Sequence, residues 1–195
     1  KQYAGPIHLI RTPEEVEQAA NKLLAEPVLG FDTETRPSFQ VGESYPPSLL
    51  QLATEHEVFI LQLKLTGLPP GLCAILSDPN RIKTGISLRD DLKELRKLAD
   101  FEPAGFVELA EHAKRAHIKN LGLRGLAALL LGFRISKREQ TSNWAKTELT
   151  ESQLRYAATD AWLGRQLYLH MQSLNLIHNT KNNQPHQNKT CEKLV

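Results

Sequence analysis

Asp32 and Glu34 stand two residues apart in Pro27-Val28-Leu29-Gly30-Phe31-Asp32-Thr33-Glu34-Thr35, a run that is otherwise apolar and β-branched. Side chains alternate across a strand, so both carboxylates leave from one face. Two half-buried acids that close must be neutralised by protons, by cations of the protein or by metal ions, and hard oxygen donors of this kind suit magnesium or manganese. Tyr156 and Asp160 lie four apart in Leu154-Arg155-Tyr156-Ala157-Ala158-Thr159-Asp160-Ala161-Trp162. That spacing puts phenol and carboxylate on one helix face, about 5–6 Å apart at Cβ. Ala157, Ala158 and Ala161 are small enough to let this helix approach a sheet, so that Asp160 can share a metal with Asp32 and Glu34.

A fourth acid comes from Gly85-Ile86-Ser87-Leu88-Arg89-Asp90-Asp91-Leu92-Lys93-Glu94-Leu95. On a helix Asp91 shares a face with Leu88, Leu95 and Leu98, whereas Asp90 falls with Glu94 and Lys97 on the polar side. Asp91 is therefore expected to point inward. Asp90 is expected to face solvent near a helix N-terminus, where negative charge is favoured. Taken singly, each grouping also fits solvated acids on a strand end or a polar helix face.

These residues need elements to hold them. Ile7 to Ile10 reads as a strand, and Thr12-Pro13-Glu14-Glu15 supplies an N-cap, a proline in the first turn and a capping-box glutamate before a helix of about three turns. Pro27 to Thr35 reads as a buried strand, 36–47 as a loop, and Ser48 to Ala53 with Glu57 to Leu61 as a hairpin. Leu68 to Leu76 and Asp90 to Ala99 read as helices around a strand over Arg81 to Ile86. Helices are expected over Phe106 to Ala116, Leu121 to Leu131 and Glu151 to Met171, the last opened by the capping box Thr150-x-x-Gln153 and a Leu149 to Leu154 staple. Strands first and helices later argue for an α/β domain with helices packed on a mixed sheet.

The chain has 195 residues, 41% of them hydrophobic, with a net charge of +2. This suits one domain, and no apolar run approaches the roughly 20 residues that span a bilayer. Cys73 and Cys191 cannot form a disulfide framework, which points to a reducing, intracellular setting, and no signal peptide is apparent. Residues 31–60 carry one base and five acids, a net −4, whereas 111–140 carry seven bases and two acids, a net +5. A polyanion lying beside an acidic centre would fit that asymmetry, as would a plain solvated basic face. The domain is expected over residues 1–176, with 177–195 a polar and flexible tail.

Together Phe31-Asp32-Thr33-Glu34-Thr35, Gly85-x5-Asp91 and Tyr156-x3-Asp160 resemble, in order and spacing, the three motifs of the DEDDy 3′–5′ exonucleases. Ser48-Leu49-Leu50-Gln51-Leu52-Ala53 and Ser142-Asn143-Trp144-Ala145 are similar to the matching stretches of the ribonuclease D group and of the Werner syndrome exonuclease domain. The likeness runs over about residues 7–172. It implies a ribonuclease H-like fold with a mixed five-stranded sheet flanked by helices, and Asp32 and Glu34 on the central strand. It also implies that Asp32, Glu34 and Asp160 bind one divalent ion, while Asp32 bridges to a second that Asp91 holds directly or through water. Two ions about 3.5–4 Å apart would stabilise both the attacking and leaving oxygens at phosphorus. Tyr156, which assigns the tyrosine subtype, would orient the attacking water, and a nucleoside 5′-monophosphate would leave. Some relatives carry Asn where this chain has Ser87.

The implied partner is a single-stranded or 3′-end-exposed nucleic acid, held by the basic window, with Trp144 or Phe39 available for base stacking. DNA and RNA both stay open, because phosphate contacts and metal chemistry are common to them. Two other readings compete. Asp32-Thr33-Glu34-Thr35 resembles the nucleophile motif of haloacid-dehalogenase-type phosphatases, with Glu34 in place of its second Asp. A non-catalytic nucleic-acid-binding module of the same fold would keep the architecture and lose a ligand, yet all four carboxylates and the tyrosine stand.

Overall fold

The computed structural model describes residues 1–40 and 42–177. The tail expected over 177–195 lies outside the described residues, apart from Ile177. Six strands, β1 (Ile7–Ile10), β2 (Val28–Thr35), β3 (Pro47–Ala53), β4 (Val58–Gln62), β5 (Ile82–Gly85) and β6 (Phe106–Glu108), form one sheet in the order β1-β4-β3-β2-β5-β6. The β2–β3 and β3–β4 pairs are antiparallel, and the other three are parallel. The helices are α1 (Pro13–Ala25), α2 (Leu63–Thr66), α3 (Pro70–Ser77), α4 (Leu88–Leu95), α5 (Leu109–Arg115), α6 (Leu123–Leu130) and α7 (Glu151–Ser173).

The sheet has six strands rather than the expected five. Phe106-Val107-Glu108, read from the sequence as the start of a helix, instead extends β5 in parallel, with Lys83 opposite Phe106 and Gly85 opposite Glu108. Aromatic and β-branched side chains fit that pleated edge, and the helix begins only at Leu109. The short α2 was also not expected.

Alternation along β2 divides the molecule. Leu29 and Phe31 point into a core shared with Val16 and Leu23 of α1, Leu72 and Ile75 of α3, and Leu88 and Leu95 of α4. Gly30, Asp32 and Glu34 face the other side, where α7 lies. Buried Ala157, Ala158 and Ala161 let α7 sit flush, packing with Leu49, Ile60 and Trp144. The approach is so close that a Cβ at Gly30 would stand 1.9 Å from the Ala161 carbonyl oxygen. Gly30→Ala should therefore push α7 off the sheet, lowering unfolding free energy by about 3 kcal/mol or more in a denaturant titration.

Both expected capping boxes are present. Thr12 accepts from the Glu15 amide at one helix start, and Thr150 from the Gln153 amide at the other.

Candidate active site

The site is assembled where β2 ends under the second and third turns of α7. The β2–β3 register shifts between Glu34 and Thr35, so a bulge lies immediately beyond Glu34. Gln153, while capping α7, also donates from Nε2 to Ser142 Oγ at 3.0 Å, which ties the preceding loop to the helix that carries Tyr156 and Asp160.

Carboxylate oxygens of Asp32, Glu34 and Asp160 all lie within 4.8 Å of one another. With Ser87, Arg124 and Tyr156 they line a cleft of about 280 Å³. Burial, reinforced by the charges of Asp160 and Asp91, pushes the Asp32 carboxyl well above the usual carboxylate range. Burial and neighbouring Asp32 push Glu34 up to about 10. Asp160 is raised by burial to about 6, held back by Arg124 and by a hydrogen bond with Tyr156. A set of hard oxygen donors that repel one another when ionised fits a divalent cation. Asp160 Oδ1 adds to that fit, being buried and without a hydrogen-bond partner.

Asp91 stands outside this group of three. As expected it points inward, half-buried, while Asp90 is exposed beside Arg89. The Thr33 hydroxyl, between the two acids of β2, donates to Asp91 Oδ1 at 2.7 Å. Burial raises Asp91 to about 6, and the Thr33 bond opposes that rise. Leu98, expected to pack inward with Asp91, is instead 42% exposed, because α4 stops at Leu95 and the chain turns.

Ser87 precedes α4 in the left-handed region, φ 65° and ψ 30°. Asn tolerates that conformation better than Ser. Ser87 makes no side-chain cap; Glu108 takes over, accepting from the Leu88 amide at 2.8 Å.

Tyr156 is buried, and Trp144 lies against it with ring centroids 5.8 Å apart. Trp144 is 1% exposed, so it is a packing residue that supports Tyr156 and is not free to stack on a base. Phe39, at 85% exposure, remains available for that role. Burial first, and then Asp160, holds the Tyr156 phenol above its ordinary range, so it stays protonated at neutral pH. Six of the seven cations in the basic window are exposed: Lys114, Arg115, Lys119, Arg134, Lys137 and Arg138. The seventh, Arg124, reaches into the cleft and hydrogen-bonds the Tyr156 hydroxyl.

Sequence reasoning missed the parts played by Thr33, Glu108 and Arg124. Arg124 is set apart from the other six cations only by the helix face it shares with buried Ala127, three residues on, which the charge pattern does not reveal. A more apolar concavity lined by Tyr45, Pro47, Leu65 and Trp144 contains no carboxylate. No helix among the described residues is long and apolar enough to cross a membrane.

Residues 7–175 match the 3′–5′ exonuclease family model. The human exonuclease mut-7 homolog is 31% identical over 185 residues, covering 80% of this chain and 21% of that protein. Ribonuclease D of Gluconacetobacter diazotrophicus is 31% identical over 164 residues, covering 82% of this chain and 41% of its own. The chain thus spans about a fifth to two fifths of the length of these relatives. Its fold is similar to that of the Aedes aegypti Nibbler EXO domain, with a TM-score of 0.78, 23% identity, and coverage of 90% of this chain and 93% of that one. A mixed sheet with α7 across it is thus the ribonuclease H-like exonuclease fold, and the match leaves no room for the dehalogenase-type reading. On its motifs, its fold and the family match over nearly all the described residues, the chain belongs to the 3′–5′ exonuclease family.

Proposed function

We propose that this domain hydrolyses the 3′-terminal phosphodiester of a nucleic acid strand and releases a nucleoside 5′-monophosphate. The observation that carries the reading is the convergence of Asp32, Glu34 and Asp160 within 4.8 Å beside Tyr156. Asp32, Glu34 and Asp160 would hold one divalent cation, Mg2+ or Mn2+, and Asp91, which now accepts from Thr33, would join Asp32 at a second. Bound there, the ions supply Lewis acidity at phosphorus and a water nucleophile at neutral pH.

The remaining work falls to the protein. Tyr156, kept protonated by its burial, orients the attacking water by hydrogen bonding and does not act as its base. The water oxygen bonds to phosphorus as the bond to the 3′ oxygen of the preceding nucleotide breaks. That oxygen leaves with a proton, and the phosphate stays on the released nucleotide. Exposed cations from Lys114 to Arg138 meet the strand's phosphates, so binding should weaken steeply with salt.

The test uses 5′-labelled single-stranded and duplex DNA and RNA with Mg2+, Mn2+ or chelator, alongside Asp32→Ala. A metal-dependent ladder shortening from the 3′ end, absent in the variant, is expected, and its rate on each strand ranks the substrates. Retained binding without cleavage would favour a non-catalytic module.

A further inference from the structure

Arg124 is placed by packing, not by chance. It lies in the first turn of α6, whose Leu126 shares a buried core with Leu167, Tyr168 and Met171 of α7 and whose Ala127 is also buried. Its side chain is only 20% exposed. Nε donates to the Ser136 carbonyl at 3.3 Å, the guanidinium lies 5.1 Å from the centre of the Tyr156 ring, and Nη2 donates to the Tyr156 hydroxyl and, at 3.4 Å, to Asp160 Oδ2. Among the described residues no other Lys or Arg forms an ion pair with Asp32, Glu34, Asp91 or Asp160. The guanidinium is a planar, always-charged fork, suited to serving two acceptors at once.

We propose that Arg124 is the resident counter-cation of this site and a positioning residue: without metal it holds both the Tyr156 hydroxyl and the Asp160 carboxylate, and it yields Asp160 to an incoming divalent ion while keeping Tyr156 in place. The two contacts have opposite consequences. Against Asp160 it competes with the metal, because a positive charge 3.4 Å from a ligand oxygen repels a second cation. Against Tyr156 it assists, since a phenol oxygen that accepts from Arg124 has its own O–H direction restricted. The inference rests on the exonuclease reading of the site, but its first readout needs no nucleic acid.

The experiment is Mn2+ titration by calorimetry at pH 8.5, where protons compete less, followed by steady-state cleavage of a labelled strand. Arg124→Met should bind Mn2+ about tenfold more tightly and turn over about a hundredfold more slowly, with KM little changed. Arg124→Lys keeps the charge without the fork. It should bind Mn2+ like the wild type and still turn over about tenfold more slowly, which leaves a test if the Met variant does not fold. Tighter metal with slower turnover is a pair of changes that a merely structural arginine would not produce, because loosening the site would weaken both.

Unchanged or weaker Mn2+ binding in Arg124→Met would overturn the counter-cation role, and equal turnover in Arg124→Lys would overturn the positioning role. A wild type that binds Mn2+ but cuts nothing would overturn the exonuclease reading alone, leaving the affinity comparison to decide the counter-cation role. A wild type that binds no Mn2+ overturns both.

Discussion

Asp32→Asn should make the metal-free protein more stable and abolish its response to metal. The wild type spends folding energy on gathering Asp32, Glu34 and Asp160: burial raises all three carboxyls, and for Asp32 and Glu34 the neighbouring acids add to the rise. Replacing the central charge with an amide relieves part of that, for a gain of about 2 kcal/mol. In a chain of this size that is a rise of about 4–8 °C in melting temperature, measured in chelator. Saturating Mn2+ should then raise the wild-type melting temperature, by about 2.7 kcal/mol of stabilisation at one hundred times Kd, and leave the variant unmoved. Cleavage should fall by about 10³-fold or more.

The pH dependence has a definite sign. A carboxyl whose folded pKa is raised contributes most at pH below its unfolded value near 4, and that contribution is lost as pH rises through the folded value. Asp160 and Asp91, both at about 6, make the stability of the metal-free protein fall between pH 4 and pH 6–7, and Glu34, at about 10, carries the fall on through neutral pH. A melting temperature that climbs with pH over that range, or an Asp32→Asn protein less stable than the wild type in chelator, would contradict the cluster's electrostatics.

Much of this was legible because it was local. Thr12 and Thr150 cap through residues three positions on, so spacing alone announces both helices. The inward turn of Asp91 followed from the helical period, and the close seating of α7 from its alanines. What could not be read depends on contacts between distant segments. Phe106-Val107-Glu108 is too short to declare itself a strand until β5 lies beside it. Leu98 has the right period but comes after the helix has ended. Trp144 differs from a stacking platform only by what covers it, and Arg124 differs from its six exposed neighbours in charge pattern only by the direction in which α6 presents it. Thr33 sits between two acids yet faces the opposite side of the sheet, where only the placement of α4 gives it Asp91 as a partner.

Tyr156→Phe should leave metal affinity within about twofold and lower kcat by about 10²–10³-fold. The ring is retained, so its packing with Trp144 and the guanidinium lying over it survive, and only one oxygen is lost. That oxygen joins three functions, accepting from Arg124, bonding with Asp160, and facing the cleft where water must be aligned. Because the phenol remains protonated, its removal takes away direction and not basicity, so the loss should be nearly constant from pH 7 to 9. A general base would instead show a loss that grows as the wild type gains activity with pH. If Arg124 works through this hydroxyl, the pair acts as a unit, and Arg124→Met combined with Tyr156→Phe should be no slower than Tyr156→Phe alone. Equal turnover of Tyr156→Phe and the wild type would remove Tyr156 from the mechanism, and fully additive losses in the double variant would show that Arg124 reaches the reaction by another route.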